Sequence, residues 1–130
     1  MGCGDAPVGP PAPEGEWLRG DLHLHSSHST DAADNRVDVV IARAEALGMD
    51  YFVFTDHDNH VQGNVSVWGD PLYTSDQMVM LYGTEFTTAR FHANLFSAAP
   101  WDHLALYALR DAPGEDILTE AHAQGLHFSV

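Results

Sequence analysis

The chain has 130 residues, a hydrophobic fraction of 45%, five arginines, no lysine and nineteen acidic residues, for a formal net charge of −14. So large an acidic excess argues against nucleic acid as a tightly held partner, because that binding rests on cationic side chains that displace phosphate counterions. No apolar run approaches the roughly 20 residues that span a bilayer, and the single cysteine, Cys3, excludes an internal disulfide framework and a cysteine-rich zinc site.

Residues 1–16 carry four prolines and four glycines and read as a flexible arm. Within it, Gly2-Cys3-Gly4-Asp5 resembles the start of a mature bacterial lipoprotein, with Cys3 as lipid anchor and an extracytoplasmic location. The alternative is an incidental thiol on a cytoplasmic protein, since Met1 stands only two residues before it with no hydrophobic leader. Residues 17–130 read as one globular domain. A first strand is expected from Trp17 to Leu24, then a polar loop from Ser26 to Asn35. Val37, Val40, Ile41, Ala44 and Leu47 recur at helical spacing, with Asp34 as N-cap and Gly48 just past the end. Tyr51-Phe52-Val53-Phe54 is the continuous apolar run of a buried parallel strand. Residues 58–76 read as a long polar loop. Met78–Tyr82 and Phe91–Ser97 are the next strands, residues 98–113 a loop with a short helix, residues 116–124 a helix, and Leu126–Val130 a last strand.

Strands alternating with helices predict parallel βαβ units in an α/β fold. Each candidate ligand motif then falls at or just beyond the C-terminal end of a strand, where α/β barrels and open sheets assemble their sites. A complete barrel needs about 200 residues or more, so the domain is expected to be C-terminally incomplete.

The chemistry-bearing residues come in four groups. His23 and His25 alternate along the first strand, so their imidazoles share a face. Asp56 and His57 close the second strand, Glu85 follows the third, and His92 comes soon after. A His-x-His pair alone is a weak signal, and a histidine at a strand end is often just a satisfied polar residue. Four converging strand ends are harder to explain by packing, because so many ionisable groups are costly to bury together unless cations compensate them. Imidazole and carboxylate ligands suit zinc, manganese or iron.

In order along the chain, Gly20-Asp21-Leu22-His23-Leu24-His25-Ser26, Thr30-Asp31-Ala32, Phe54-Thr55-Asp56-His57-Asp58, Gly83-Thr84-Glu85 and His92-Ala93-Asn94 resemble the motifs of the PHP superfamily. These are the polymerase and histidinol phosphatase metallohydrolases. The first motif and the pairing of Glu85 with His92-Ala93-Asn94 look most like the carbaryl-hydrolase-like branch. The resemblance implies a distorted TIM-like (β/α) barrel, present here in part, holding two or three divalent ions. It implies that His23 and His25 bind one ion, that Glu85 bridges it to a second bound by His92, and that Asp31 and His57 bind a third. It also implies one further ligand per ion that this sequence does not contain. Ala32 replaces a common glycine, and His28 is a competing ligand in the same loop. Asp21 and Asp56 are expected either to orient ligand histidines or to cap element ends. Glu85, His57 and Asp56 are the residues expected closest to the catalytic chemistry.

His60, His103 and His122 are expected to be solvated, and His127 to pack within the last strand. Arg90 and Arg36 are either anion-binding or surface residues. The expected activity is hydrolysis of a small, anionic phosphoester through a metal-activated water. A carboxylic or carbamic ester is the runner-up substrate. Two other readings stand beside it: a metal-binding module without catalysis, and an incompletely folded fragment exposing strand edges.

Overall fold

The structure, a computed structural model, describes residues 15–130. Cys3 and nearly all of the expected N-terminal arm lie outside the described residues. The apolar run Tyr51–Phe54 forms the centre of the fold: Phe52, Val53 and Phe54 are almost wholly buried. Here β2 (Tyr51–Phe52) lies between β1 (Gly20–Asp21) and β3 (Val79–Met80), all parallel, with Tyr51 opposite both Gly20 and Val79. Backbone bonds extend the pairing toward the C-terminal ends, from Thr55 N–H to Leu24 O at 2.8 Å and from Leu81 N–H to Phe52 O at 2.9 Å. The expected first strand is shorter than its apolar pattern suggests, and Trp17 and Leu18 are exposed.

Helix α1 (Val37–Ala46) is the crossover between β1 and β2. Its buried face, Val37, Ile41 and Ala44, packs in one cluster with Phe52, Phe54, Val65, Val67 and Met78. It ends in a Schellman motif at Gly48, φ +67°: Met49 N–H donates to Ala44 O and Gly48 N–H to Glu45 O. Its start differs from expectation. Arg36 holds the N-cap position without a side-chain capping bond, and the Asp34 carbonyl accepts Arg36 N–H in a preceding turn. Leu47, expected on the buried stripe, is exposed.

The sheet directions also differ from the all-parallel expectation. The strand expected at 78–82 breaks at Leu81, and a longer strand, β4 (Tyr82–Thr87), pairs antiparallel with β5 (His92–Ser97). Only four residues separate β4 from β5. A parallel return needs a dozen or more, so the connection is a hairpin. Thr88 closes it: its hydroxyl accepts the N–H groups of Arg90 and Phe91, and its own N–H donates to Phe91 O. As a result Glu85 lies inside β4 and His92 at the N-terminal start of β5, neither at the C-terminal strand end expected for it.

The expected polar loop 58–76 contributes to the core. It contains two 3₁₀ turns, Asp58–Val61 and Ser66–Gly69, and buries Val65 and Val67. Beyond β5, α2 (His103–Tyr107) is capped by Asp102, which accepts Ala105 N–H at 3.1 Å. Next, α3 (Gly114–Ala123) ends in a second Schellman motif at Gly125, φ +73°. Strand β6 (His127–Ser129) then pairs antiparallel with β5, so it runs in the direction of β4. Phe86, Leu95, Leu106, Ile117, Ala121 and Leu126 form the core of this half. His127 stacks on Phe96, ring centres 5.4 Å apart, in keeping with a packing role. The architecture is a mixed α/β domain containing a parallel three-stranded sheet. No described helix is long and apolar enough to cross a membrane.

Gly83 lets β4 approach the end of the second strand. A Cβ there would collide with the Val53 side chain and stand 2.8 Å from the Phe54 carbonyl oxygen. Gly83→Ala should therefore lower stability by about 1–3 kcal/mol, the usual cost of overpacking. Gly69→Ala, whose Cβ would meet nothing within 4 Å, should be close to neutral in the same urea titration.

Candidate metal centre

The site forms where the extensions of β1 and β2 meet the middle of β4 and the start of β5. Glu85 N–H donates to Asp56 O at 3.0 Å, and His57 and Glu85 form a parallel bridge, which sets the Glu85 carboxylate beside the first histidines. Glu85 pairs with Asn94 across the hairpin, so His92 stands one diagonal step from it. The 26–35 loop coils in successive tight turns and brings Asp31 over the same spot.

Glu85, only 4% exposed, is the centre of the cluster. Its Oε2 lies 2.7 Å from His25 Nε2 and 3.1 Å from His23 Nε2, and its Oε1 lies 2.6 Å from His92 Nδ1. His25 turns its other nitrogen to Asp31 Oδ2 at 2.9 Å. His57 Nε2 faces the same Asp31 oxygen at 3.6 Å, and its ring lies 4.4 Å from that of His25. The structure thus brings together all six residues singled out as ligands: His23, His25, Asp31, His57, Glu85 and His92. They fall into three groups whose ligand atoms lie within 4.8 Å of one another: His23, His25 and Glu85; His25, Asp31 and His57; and His57, Glu85 and His92.

The electrostatics reflect the crowding. Burial alone would raise the Glu85 carboxyl, but the charge of His57 and the bonds from His23, His25 and His92 hold it below its ordinary range. Burial also opposes ionisation of Asp31, yet His25 and Ser29 outweigh it and bring its carboxyl down to about 2. Burial works to lower His25, and its two carboxylate partners overcome that and raise it; burial leaves His57 lowered, against the pull of Glu85.

The donor set fits divalent cations. It is made of imidazole nitrogens and carboxylate oxygens, the ligands of zinc, manganese and iron, and the Asp31 carboxylate facing His57 Nε2 leaves a gap that a cation suits. Among the described residues, one buried side-chain polar atom has no hydrogen-bond partner, Asn94 Oδ1. Other atoms of Asn94 line a cavity of about 210 Å³ shared with His23, Glu85, His92 and Ser129, while this oxygen itself is shielded from solvent. A larger, mostly apolar cleft of about 350 Å³ along α1 contains none of these acidic or imidazole ligands.

The other candidate residues make their bonds outside the cluster. Asp56 lies beneath the cluster, 1% exposed, and accepts both Ser26 N–H and Ser26 Oγ–H. It anchors the loop after His25 and makes no bond to a histidine ring; burial raises its carboxyl despite those two bonds. Asp21 accepts the backbone N–H of His23. His28, the competing ligand, faces away, with Ser66 Oγ at 2.7 Å and Asp70 Oδ2 at 2.9 Å. Arg36 pairs with Asp38, and Arg90 donates to the carbonyls of Arg110 and Ala112, so both guanidinium groups have partners away from the cluster.

His60 and His103 are not solvated as expected. Thr30 N–H donates to His60 Nδ1, which ties His60 to the Asp31 loop. His103 is 3% exposed and bonds the fully buried Asp58. No local pattern marks His103, because its partner lies 45 residues away. His122 is exposed, as expected.

The family model described as a PHP domain matches residues 21–123. The chain belongs to the PHP family. No curated protein and no solved structure matches it. PHP domains are generally hydrolytic and typically bind divalent metals, and this PHP chain has three His and carboxylate groups that could hold them.

The His28–Asp70 pair gives a pH test away from the cluster. The His28 bond, with Leu72 N–H, holds the Asp70 carboxyl below its ordinary value. A depressed carboxyl contributes stability above its unfolded pKa, about 3.9, and loses it as the pH falls through the folded value. Asp70→Asn should therefore lower the melting temperature at pH 7, and that loss should shrink progressively as the pH falls below about 3.9. A loss that stays constant on acidification would refute this.

Proposed function

We propose that this chain carries the ligand-bearing part of a metal-dependent phosphoesterase acting on a small, anionic substrate. The observation that carries the reading is the single buried carboxylate of Glu85, shared between two of the three ligand groups. His23 and His25 would hold one ion with Glu85, His92 would hold a second, also with Glu85, and Asp31 and His57 would hold a third. We read the parallel sheet and the hairpin as the opening of a distorted TIM-like barrel, with the centre at its mouth.

Bound divalent ions would supply Lewis-acid polarisation of the ester and acidify a water. The residues of the chain do the rest. Glu85 and Asp31 would hold the cations, whose positive charge would offset an acidic surface that otherwise repels anions. Asp56 holds the loop carrying His25 through Ser26, which keeps both first-strand imidazoles turned to Glu85. No serine, cysteine or lysine nucleophile stands among the six clustered residues, which suits attack by water.

A carboxylic or carbamic ester is the second reading. It is favoured by the pairing of Glu85 with His92-Ala93-Asn94, which resembles the carbaryl-hydrolase-like branch.

Elemental analysis of the dialysed chain should find two or more zinc or manganese ions, and Glu85→Gln should lose at least one. Aryl phosphates should be hydrolysed faster than matched aryl esters, with kcat/KM falling on the order of 100-fold in Glu85→Gln. One ion or none, with no turnover of either substrate, would sink the hydrolase reading in favour of a fragment or a non-catalytic binder. Chelator should lower the melting temperature of the loaded protein, since an ion present at 100 times its Kd contributes about 2.7 kcal/mol to stability. In Glu85→Gln that decrease should shrink.

A further inference from the structure

Thr87 ends β4 and lies between the metal centre and a buried polar pair behind it. Its hydroxyl oxygen is 2.7 Å from His57 Nδ1 and 3.2 Å from the carbonyl oxygen of Glu85. A hydroxyl has one proton to give, and a carbonyl can only accept. The Thr87 proton therefore goes to Glu85 O, and the short contact is a bond donated by His57 Nδ1–H to a Thr87 lone pair. With that proton on Nδ1, the uncharged ring has a bare lone pair on Nε2. That nitrogen is the one facing Asp31.

Thr87 is held in place from behind. Its backbone N–H donates to Asp58 Oδ1 at 2.9 Å, and Asp58 Oδ2 accepts from His103 Nε2 at 3.0 Å. The indole N–H of Trp101 donates to His103 Nδ1 at 3.1 Å, which leaves the His103 ring proton on Nε2, where the Asp58 bond needs it. The two side chains of the pair are 0% and 2% exposed. From Trp101 through His103, Asp58 and Thr87 to His57, each donor thus has its acceptor.

We propose that Thr87 is a positioning residue for the metal centre. By accepting the Nδ1–H of His57 it presents Nε2 as the ligand nitrogen beside Asp31, and the buried Asp58–His103 pair fixes Thr87 where it can do so. The consequence for metal binding rests on the hydrolase reading above; the tautomer itself is a property of the metal-free chain. A purely structural role, in which Asp58 and His103 only pin α2 and the 58–61 turn to β4, would not select a His57 tautomer.

The test is nitrogen-15 NMR of the histidine rings in the metal-free chain at a pH where they are uncharged, together with zinc titration. In the wild type, His57 should carry its proton on Nδ1. Thr87→Val removes the hydroxyl at nearly constant volume and leaves the backbone bond to Asp58. It should release His57 to a mixture of tautomers and weaken zinc binding about 10- to 100-fold, the usual effect of losing a partner that orients a ligand. Thr87→Ser should restore both signals. A wild-type His57 protonated on Nε2, or a Thr87→Val chain with unchanged tautomer and affinity, overturns the proposal. If Thr87→Val does not fold, the wild-type tautomer and Thr87→Ser decide. Were the wild type to take up no divalent ion, the hydrolase reading would fall, and the tautomer comparison would still uphold or overturn the role of Thr87.

Discussion

A carboxylate buried to 4% exposure costs several kcal/mol unless partners compensate it, and Glu85 is compensated by three imidazoles in direct contact and a fourth close by. That requirement shapes the surrounding chain. His23 and His25 must turn to one side, which the segment just beyond β1, held to the second strand by Thr55 N–H on Leu24 O, provides. The second strand must deliver His57 alongside Glu85, which the parallel register does. His92 must come back within a few residues, which only a hairpin allows. Gly83, with no Cβ, lets β4 lie close enough to Val53 and Phe54 for these conditions to hold together.

The loops that carry the clustered residues are tied down by polar groups around and behind the cluster, His60 among them within 3.6 Å of Asp31. Asp56 holds Ser26, His60 holds Thr30, His28 spans Ser66 and Asp70, and Asp58 holds Thr87. These bonds connect segments far apart in the chain, and several are buried, where an unmet partner would be costly. They account for a feature that composition alone leaves unexplained. A segment as polar as 58–76 folds onto the core because its polar atoms find partners inside while Val65 and Val67 fill the space between α1 and the sheet. The same economy distinguishes this centre from a chance cluster of surface charges. Asp31 is bound from two sides, by the His25 ring and by the turn that begins at Ser29.

Local pattern was enough to read α1, its glycine stop, the buried second strand and the alternation of His23 with His25. Each of these depends on residues a few positions apart, through helical or strand periodicity and the left-handed preference of Gly48. The six clustered candidate residues were legible for a related reason: side chains able to bind metal are few in type, and their order along the chain follows a family pattern. The hairpin was not legible, because the third strand was read as ending at Tyr82 and the four-residue gap between Thr87 and His92 exists only once β4 is in place. Tertiary structure alone decided what depends on long-range partners. His103 became a buried partner of Asp58, Arg90 was drawn to carbonyls of the 110–112 turn, and His28 was turned from the cluster toward Asp70. Sequence determines which groups are available and how each short segment prefers to run. Which imidazole meets which carboxylate is settled only when the strands are laid side by side, because hydrogen bonding and burial act over ångströms and not along the chain.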